Sequence, residues 1–164
     1  MSVCAAYQAL RVHKQEGGVM ERQAPILCPS SRCKDGAIVL GIVLANKTIA
    51  YADQRYKVDA AQASAIQQGD IRPEQRFRFS SPCAHGGCGQ WVKDDGPLGG
   101  RCGVIEEVIA APRLGSLPKE LPNCSIRPQC RWYLQRGEEA CMVCRFVITD
   151  TAILTEEEIA ELVA

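Results

Sequence analysis

The sequence predicts an α+β fold: a small β-hairpin or sheet with short helices, and a loop-rich lobe whose cysteines ligate metal. Three observations predict it. Two β-branched runs, AIVLGIVL at 37–44 and TIAYA at 48–52, flank the short link Ala45-Asn46-Lys47, the signature of a β-hairpin. Residues 57–69 carry helix start and stop signals, with Asp59 as N-cap and Gly69 past the end. Ten cysteines are present, most of them on turn-rich stretches. A chain of 164 residues suits one unit, with an N-terminal helix and α+β body over 1–80 and a cysteine-rich lobe packed on it over 81–164.

Taken in order, Ser2 to Gln15 places Val3, Tyr7 and Leu10 along one side of an amphipathic helix that Gly17 and Gly18 end. Its lone Cys4 reads as an idle or buried thiol and His13 as a surface residue. Residues 24–36, APILCPSSRCKDG, carry Cys28 and Cys33 as C-x4-C, and Pro29, Ser30 and Ser31 make this a loop. In the hairpin that follows, Gly41 marks a bulge or a close backbone approach. After the helix at 57–69, Arg76-Phe77-Arg78-Phe79 alternates as a strand, its arginines expected on a solvated face. Ser81 to Gly103 reads as loop and holds Cys83 and Cys88, again C-x4-C, then Cys102. Asp94-Asp95-Gly96-Pro97 within it is a plain turn rather than a pair of catalytic carboxylates. Val104, Ile105, Val108 and Ile109 have helical spacing, and the prolines at 112, 118 and 122 make 113–122 a connector.

Cys124 to Cys144 reads CSIRPQCRWYLQRGEEACMVC, a C-x5-C pair followed by C-x2-C. Cys130 to Gln135 is helix-forming, and Gly137 closes that helix with positive φ. The C-x2-C pair is expected on a tight turn, Arg145 to Thr149 as a short strand, and Thr155 to Leu162 as a helix with a Thr155/Glu158 capping box.

Nineteen basic and nineteen acidic residues give zero formal charge, which argues against a protein whose main work is non-specific nucleic-acid binding. The N-terminus has no secretory pattern. The longest apolar run, Ala37 to Ala45, is too short to span a bilayer. A cytoplasmic location without a transmembrane segment follows as an expectation. In that compartment clustered thiols read as metal ligands rather than disulfides. Aromatic residues are only 5%, so ligation is expected to share in stabilising the fold.

With Cys4 set aside, the thiols divide into two sets of four with one over. Cys124, Cys130, Cys141 and Cys144 form the most local tetrad. Cys83, Cys88 and Cys102 form the core of a second site, which Cys28 completes ahead of Cys33; His85 is a lesser ligand candidate. Structural zinc favours C-x2–4-C knuckles; Cys124 and Cys130 are spaced more widely. A cluster accepts irregular spacing, so one or two iron–sulfur clusters, [4Fe-4S] in type, are preferred and zinc is the alternative. Trp132, Tyr133, Met142 and Phe146 are placed to shield a cluster from water.

The run C-x-I-R-P-x-C-R-W from Cys124, followed by A-C-x-x-C ending at Cys144, resembles a motif of small cysteine-rich bacterial proteins of mostly unassigned role, some labelled nitrogen-fixation-associated. The likeness covers Cys83 to Thr149 and implies that these thiols act together. It implies no particular activity.

No G-x-G-x-x-G or P-loop fingerprint is present, and His13 and His85 are the only histidines, so no nucleophile–base arrangement can be drawn. A fully thiolate-ligated cluster leaves no iron open to substrate. The expected role is therefore electron transfer, or an accessory or assembly subunit of a redox complex, with a protein redox partner, rather than an enzyme. The alternative from another class is a zinc-stabilised interaction module. Thiol–disulfide cycling at Cys141 and Cys144 ranks last, because a thioredoxin-like pair follows a strand and precedes a helix, the reverse of the order expected here.

Overall fold

The computed structural model describes residues 24–96, 99–111 and 117–149. The helix expected over 2–15, with Cys4 and His13, and the capping box at Thr155 lie outside them.

Strands β1 (Leu27–Ser31), β2 (Ile38–Val43), β3 (Ile49–Lys57) and β4 (Phe77–Pro82) form one antiparallel sheet in the order β1-β4-β2-β3. The expected hairpin is β2–β3. Its register slips between Val39 and Gly41 in the pairings to both β3 and β4. A Cβ at Gly41 would run into the backbone carbonyl of Ala50, so both readings of this glycine hold: it sits at a bulge and permits a close approach. Helix α1 (Ala60–Gln67) begins as its sequence signals. Asp59 Oδ1 accepts from Gln62 N at 2.8 Å and Gln62 Oε1 accepts from Asp59 N at 3.0 Å, a capping box.

Three local expectations fail here. Residues 27–31 are a strand rather than a loop: β1 pairs only with β4, and its register shift between Cys28 and Ser31 lets Pro29 sit at an edge where no amide is needed. Arg78 does not lie on a solvated face. It is 1% exposed, because β4 is an inner strand of the sheet with residues 78–81 all buried. Arg76 instead ends the single-turn helix α2 (Pro73–Arg76). Residues 145–149 form a turn and irregular chain rather than a strand; Ile49 N donates to Arg145 O at 3.0 Å, and no ladder continues from it among the described residues.

Past β4 come the two-residue strands β5 (Trp91–Val92) and β6 (Arg101–Cys102), which pair antiparallel inside the stretch expected to be loop. Helix α3 (Gly103–Ala110) has the expected apolar face. Helices α4 (Arg131–Arg136) and α5 (Glu138–Cys144) meet at Gly137, where φ is 60°. Glycine is strongly favoured at that angle, so the corner follows directly from the sequence.

Alternation along β2 divides the interior. Ile38 and Leu40 join Leu27, Ile105, Ile126, Cys130, Trp132, Ala140, Val143 and Val147 in the main core. Ala37 and Val39 join Cys33, Val58, Ala63 and Phe79 in a smaller one, as side chains at successive strand positions must. The main core takes residues from both sides of position 80, and that position lies inside β4. The cysteine-rich part and the sheet therefore bury their apolar surface together.

Candidate metal centres

All nine described cysteines are free thiols. Four of them line one cavity, four more are linked through the electrostatics of Cys28, and Cys33 lies apart from both.

The first neighbourhood, here the inner site, contains Cys124, Cys130, Cys141 and Cys144. All four line one cavity, together with Pro29, Tyr51, Arg127 and Trp132. Three local structures deliver them. The C-x5-C segment folds as a turn followed by one 3-10 turn, Arg127–Gln129, anchored by fully buried Ile126 and by Arg55, whose Nη2 donates to Ser125 O at 2.7 Å and Gln129 Oε1 at 2.9 Å. Cys130 then starts α4 as its N-cap. Cys141 and Cys144 sit in α5 rather than on a tight turn. Three residues apart on a helix, they share one face.

Burial raises the pKa of every thiol here for which a shift is resolved. Cys130 is pushed up to about 12 by desolvation, against the opposing effect of the Tyr133 and Trp132 amides; charge on Cys144 or Cys124 raises it further. Cys124 and Cys141 are raised by burial too. The Ile126 amide opposes this at Cys124 and the Arg127 guanidinium at Cys141, and each thiol also feels Cys144. Burial thus keeps Cys124, Cys130 and Cys141 protonated, and a bound cation favours their thiolate form.

Basic and hydroxyl groups surround this site. Arg78 Nη2 lies 3.7 Å from Cys144 Sγ, its Nη1 donates to Cys144 O at 3.4 Å, and the guanidinium also donates to the carbonyls of Pro29 and Val147. Its Cζ stands 5.2 Å from the Trp132 ring centroid. Tyr51 Oη is buried beside Cys144, which with desolvation as the larger cause raises the tyrosine's pKa. Tyr51 Oη and Arg127 Nε are buried and meet no partner in hydrogen-bond geometry. Two unpartnered donors on a thiol-lined cavity fit an anionic occupant.

A second group, here called the outer site, is Cys28 with the three thiols whose charge reaches it, Cys83, Cys88 and Cys102. Burial pushes Cys28 up to about 11, the Ser30 amide opposes that, and charge on Cys83, Cys102 or Cys88 adds to it; Cys28 is thus within electrostatic reach of all three. β1 brings Cys28, and the end of β4 brings Cys83, whose amide donates to Ile26 O at 2.9 Å. Cys88 follows the 3-10 turn His85–Gly87, is exposed, and accepts from Gln90 N at 3.4 Å. Cys102 is clamped by Gln135, which receives its amide at 2.9 Å and donates to its carbonyl at 3.1 Å. Its sulfur accepts from Trp132 Nε1 at 3.2 Å. Arg131 Nη2 donates to Gly100 O at 2.7 Å, and Arg131 Cζ stacks 4.3 Å from the Trp91 ring centroid.

Cys33 belongs to neither site. It is 2% exposed in the smaller core, and its amide donates to Glu74 Oε1 at 2.6 Å. Its raised pKa comes from burial and then the Glu74 charge, with no other thiol contributing. His85 packs its ring against Trp91, centroids 5.3 Å apart. Of the residues expected to shield the tetrad, Trp132 and Tyr133 line the inner cavity, Phe146 packs on the main core, and Met142 is half-buried. Tyr51, Arg78, Arg127 and Gln135 were missed from sequence. For Arg127 its place inside the cysteine stretch was a signal; for the others only tertiary packing supplies one.

Among the described residues, no three or more His, Cys, Asp or Glu side chains are gathered tightly enough to hold one metal ion. A tetrahedral zinc tetrathiolate needs its sulfurs about 3.8 Å apart, from Zn–S bonds of ~2.3 Å. A multi-iron cluster holds its four sulfurs farther apart, around its own body. Also among the described residues, no helix is long and apolar enough to cross a membrane. Compared with protein families, curated proteins and solved structures, the chain matches none.

Proposed function

We propose that the chain is an iron–sulfur protein with two Cys-ligated clusters, serving as an electron carrier or as the accessory subunit of a redox complex. Cys124, Cys130, Cys141 and Cys144 would hold the inner cluster, and Cys28, Cys83, Cys88 and Cys102 the outer one. The carrying observation is that four thiols and two unpartnered buried donors, Tyr51 Oη and Arg127 Nε, line one cavity. Thiolates suit iron, and donors aimed at a cluster's sulfurs stabilise its charge and tune its potential. Zinc offers these donors only thiolate sulfur.

When bound, such clusters supply reversible one-electron chemistry. The residues of this chain do the rest. Arg78 places positive charge beside Cys144, and Trp132 and Tyr133 keep water from the inner thiols. Around the outer site Gly86, Gly87 and Gly89 have open space where a side chain would stand. A protein partner can approach Cys88 there.

The test is oxygen-free purification or reconstitution with ferrous iron and sulfide. Brown protein with iron and acid-labile sulfide in equal amounts, at two clusters per chain, is the expected result. Colourless protein that takes up zinc and no sulfide would falsify the proposal in favour of a zinc-stabilised interaction module.

A further inference from the structure

One side chain touches both sites. Trp132 is 1% exposed, its ring lines the inner cavity, and its Nε1–H points at Cys102 Sγ of the outer site, 3.2 Å away. It lies two residues past Cys130 of the inner site. A second connection runs along β1, where Cys28 is followed directly by Pro29, which lines the inner cavity. Leu27 also forms a parallel bridge to Cys130. Gln135 holds the backbone of Cys102 to α4, so the spacing is set by packed elements rather than by loops.

The sites differ in surroundings. Cys88 is exposed, whereas Cys130 and Cys141 are 6% and 9% exposed. The inner thiols also have Arg78, Arg127 and Tyr51 about them, where the outer set has Arg131 beside the strand of Cys102. Nearby positive charge and added N–H or O–H donors make a cluster easier to reduce.

We infer that the two sites form a single electron relay with Trp132 as their shared wall, the outer centre receiving an electron from a reduced one-electron carrier protein and the inner centre being its destination. The inference rests on the iron–sulfur reading above. One electron leaves the carrier protein, passes to the outer centre and then to the inner; no bond is made or broken. Trp132 acts as a positioning residue, setting the outer potential through its hydrogen bond to Cys102.

The experiment uses the full chain reconstituted with iron and sulfide, titrated with dithionite and followed by electron paramagnetic resonance. The inner signal should appear first. In fully reduced protein the two signals should broaden each other, and Cys88→Ser or Cys124→Ser should each leave one unbroadened signal. Trp132→Phe should keep both clusters and shift the outer potential downward by more than the inner. Iron and sulfide near background sink the iron–sulfur reading and the relay with it. Full loading with two signals that do not interact overturns the relay alone, as does reduction of the outer site first or an unmoved outer potential in Trp132→Phe. The wild-type spectrum decides the matter even where that variant does not fold.

Discussion

The inner and outer sites each gather four thiols, by opposite means. The inner four come from one continuous stretch, Cys124 to Cys144, carried on a 3-10 turn and two short helices, and Cys130 is itself part of the main core. The outer four come from Cys28 to Cys102, on a strand, its neighbour's end, an exposed glycine-rich loop and a two-residue strand. On the proposed reading, ligand binding at the inner site would be coupled to packing of the core, while the outer thiols, apart from Cys102, lie outside that core. Closing loops costs entropy that grows only slowly with their length, so the sequence distance between Cys28 and Cys102 is a small penalty. The difference lies in what each site loses when a ligand is removed.

The largest expected effect separates them. Cys144→Ala should remove the inner cluster and much of the cooperative thermal transition, because the emptied cavity lies against Trp132, Tyr51 and Leu40 and lost ligation is lost folding energy. Cys88→Ala should cost half the iron and leave the transition nearly in place. Equal melting temperatures for the two variants would remove the distinction.

Next is Gly100→Ala, which changes no ligand. Gly100 has φ 145°, and a Cβ there would overlap the Trp91 indole and the Val92 carbonyl. With backbone strain added to overpacking, about 1–3 kcal/mol is expected, released by parting β5 from β6 near Cys102. The outer cluster should become labile to chelators while the inner one persists; loss of both at one rate would show that the two sites are not independent.

Titration of the metal-free protein gives a middle effect. Cys130 rises from 9.0 to about 12 and Cys28 from 9.0 to about 11, so between those values the folded chain holds protons that the unfolded chain has lost. Stability must then fall as pH rises from about 9 towards 12. Chemical denaturation across that range measures it, and iodoacetamide at neutral pH should label exposed Cys88 well before Cys130. A flat stability profile, or prompt labelling of Cys130, would contradict the burial described.

The smallest effect is a control. Asp59→Ala removes the α1 capping box, far along the chain from both sites, and should cost about 1 kcal/mol with the iron content unchanged. A drop in iron would mean that the smaller core reaches the centres.

Much of this could be read from residue order because it is local. The β2–β3 hairpin, the Asp59 cap, the helix after Cys130 and the turn at Gly137 each depend on a few neighbouring residues and on backbone preferences. The four thiols that line the inner cavity also lie within one such short stretch. The errors share another cause. Pro29 and its serines read as loop, and Arg78 as solvated, because strand order is invisible in the pattern; only as neighbours in the sheet do β1 gain a ladder and β4 two covered faces. Cys28 and Cys33 have the same spacing as Cys83 and Cys88, yet Cys33 is drawn into the smaller core by Glu74.

Residue order by itself determined the hairpin, the capped helices and the thiols that lie along one short stretch, since these rest on torsional preferences and contacts within a turn or two. Tertiary structure alone decided that Cys28 comes within electrostatic reach of Cys83, Cys88 and Cys102, that Arg78, Arg127 and Tyr51 turn towards the inner thiols, and that Trp132 touches both Cys102 and the inner cavity. Those placements come from burying one sheet face against α4 and α5, and hydrophobic packing of that kind carries no mark in local spacing.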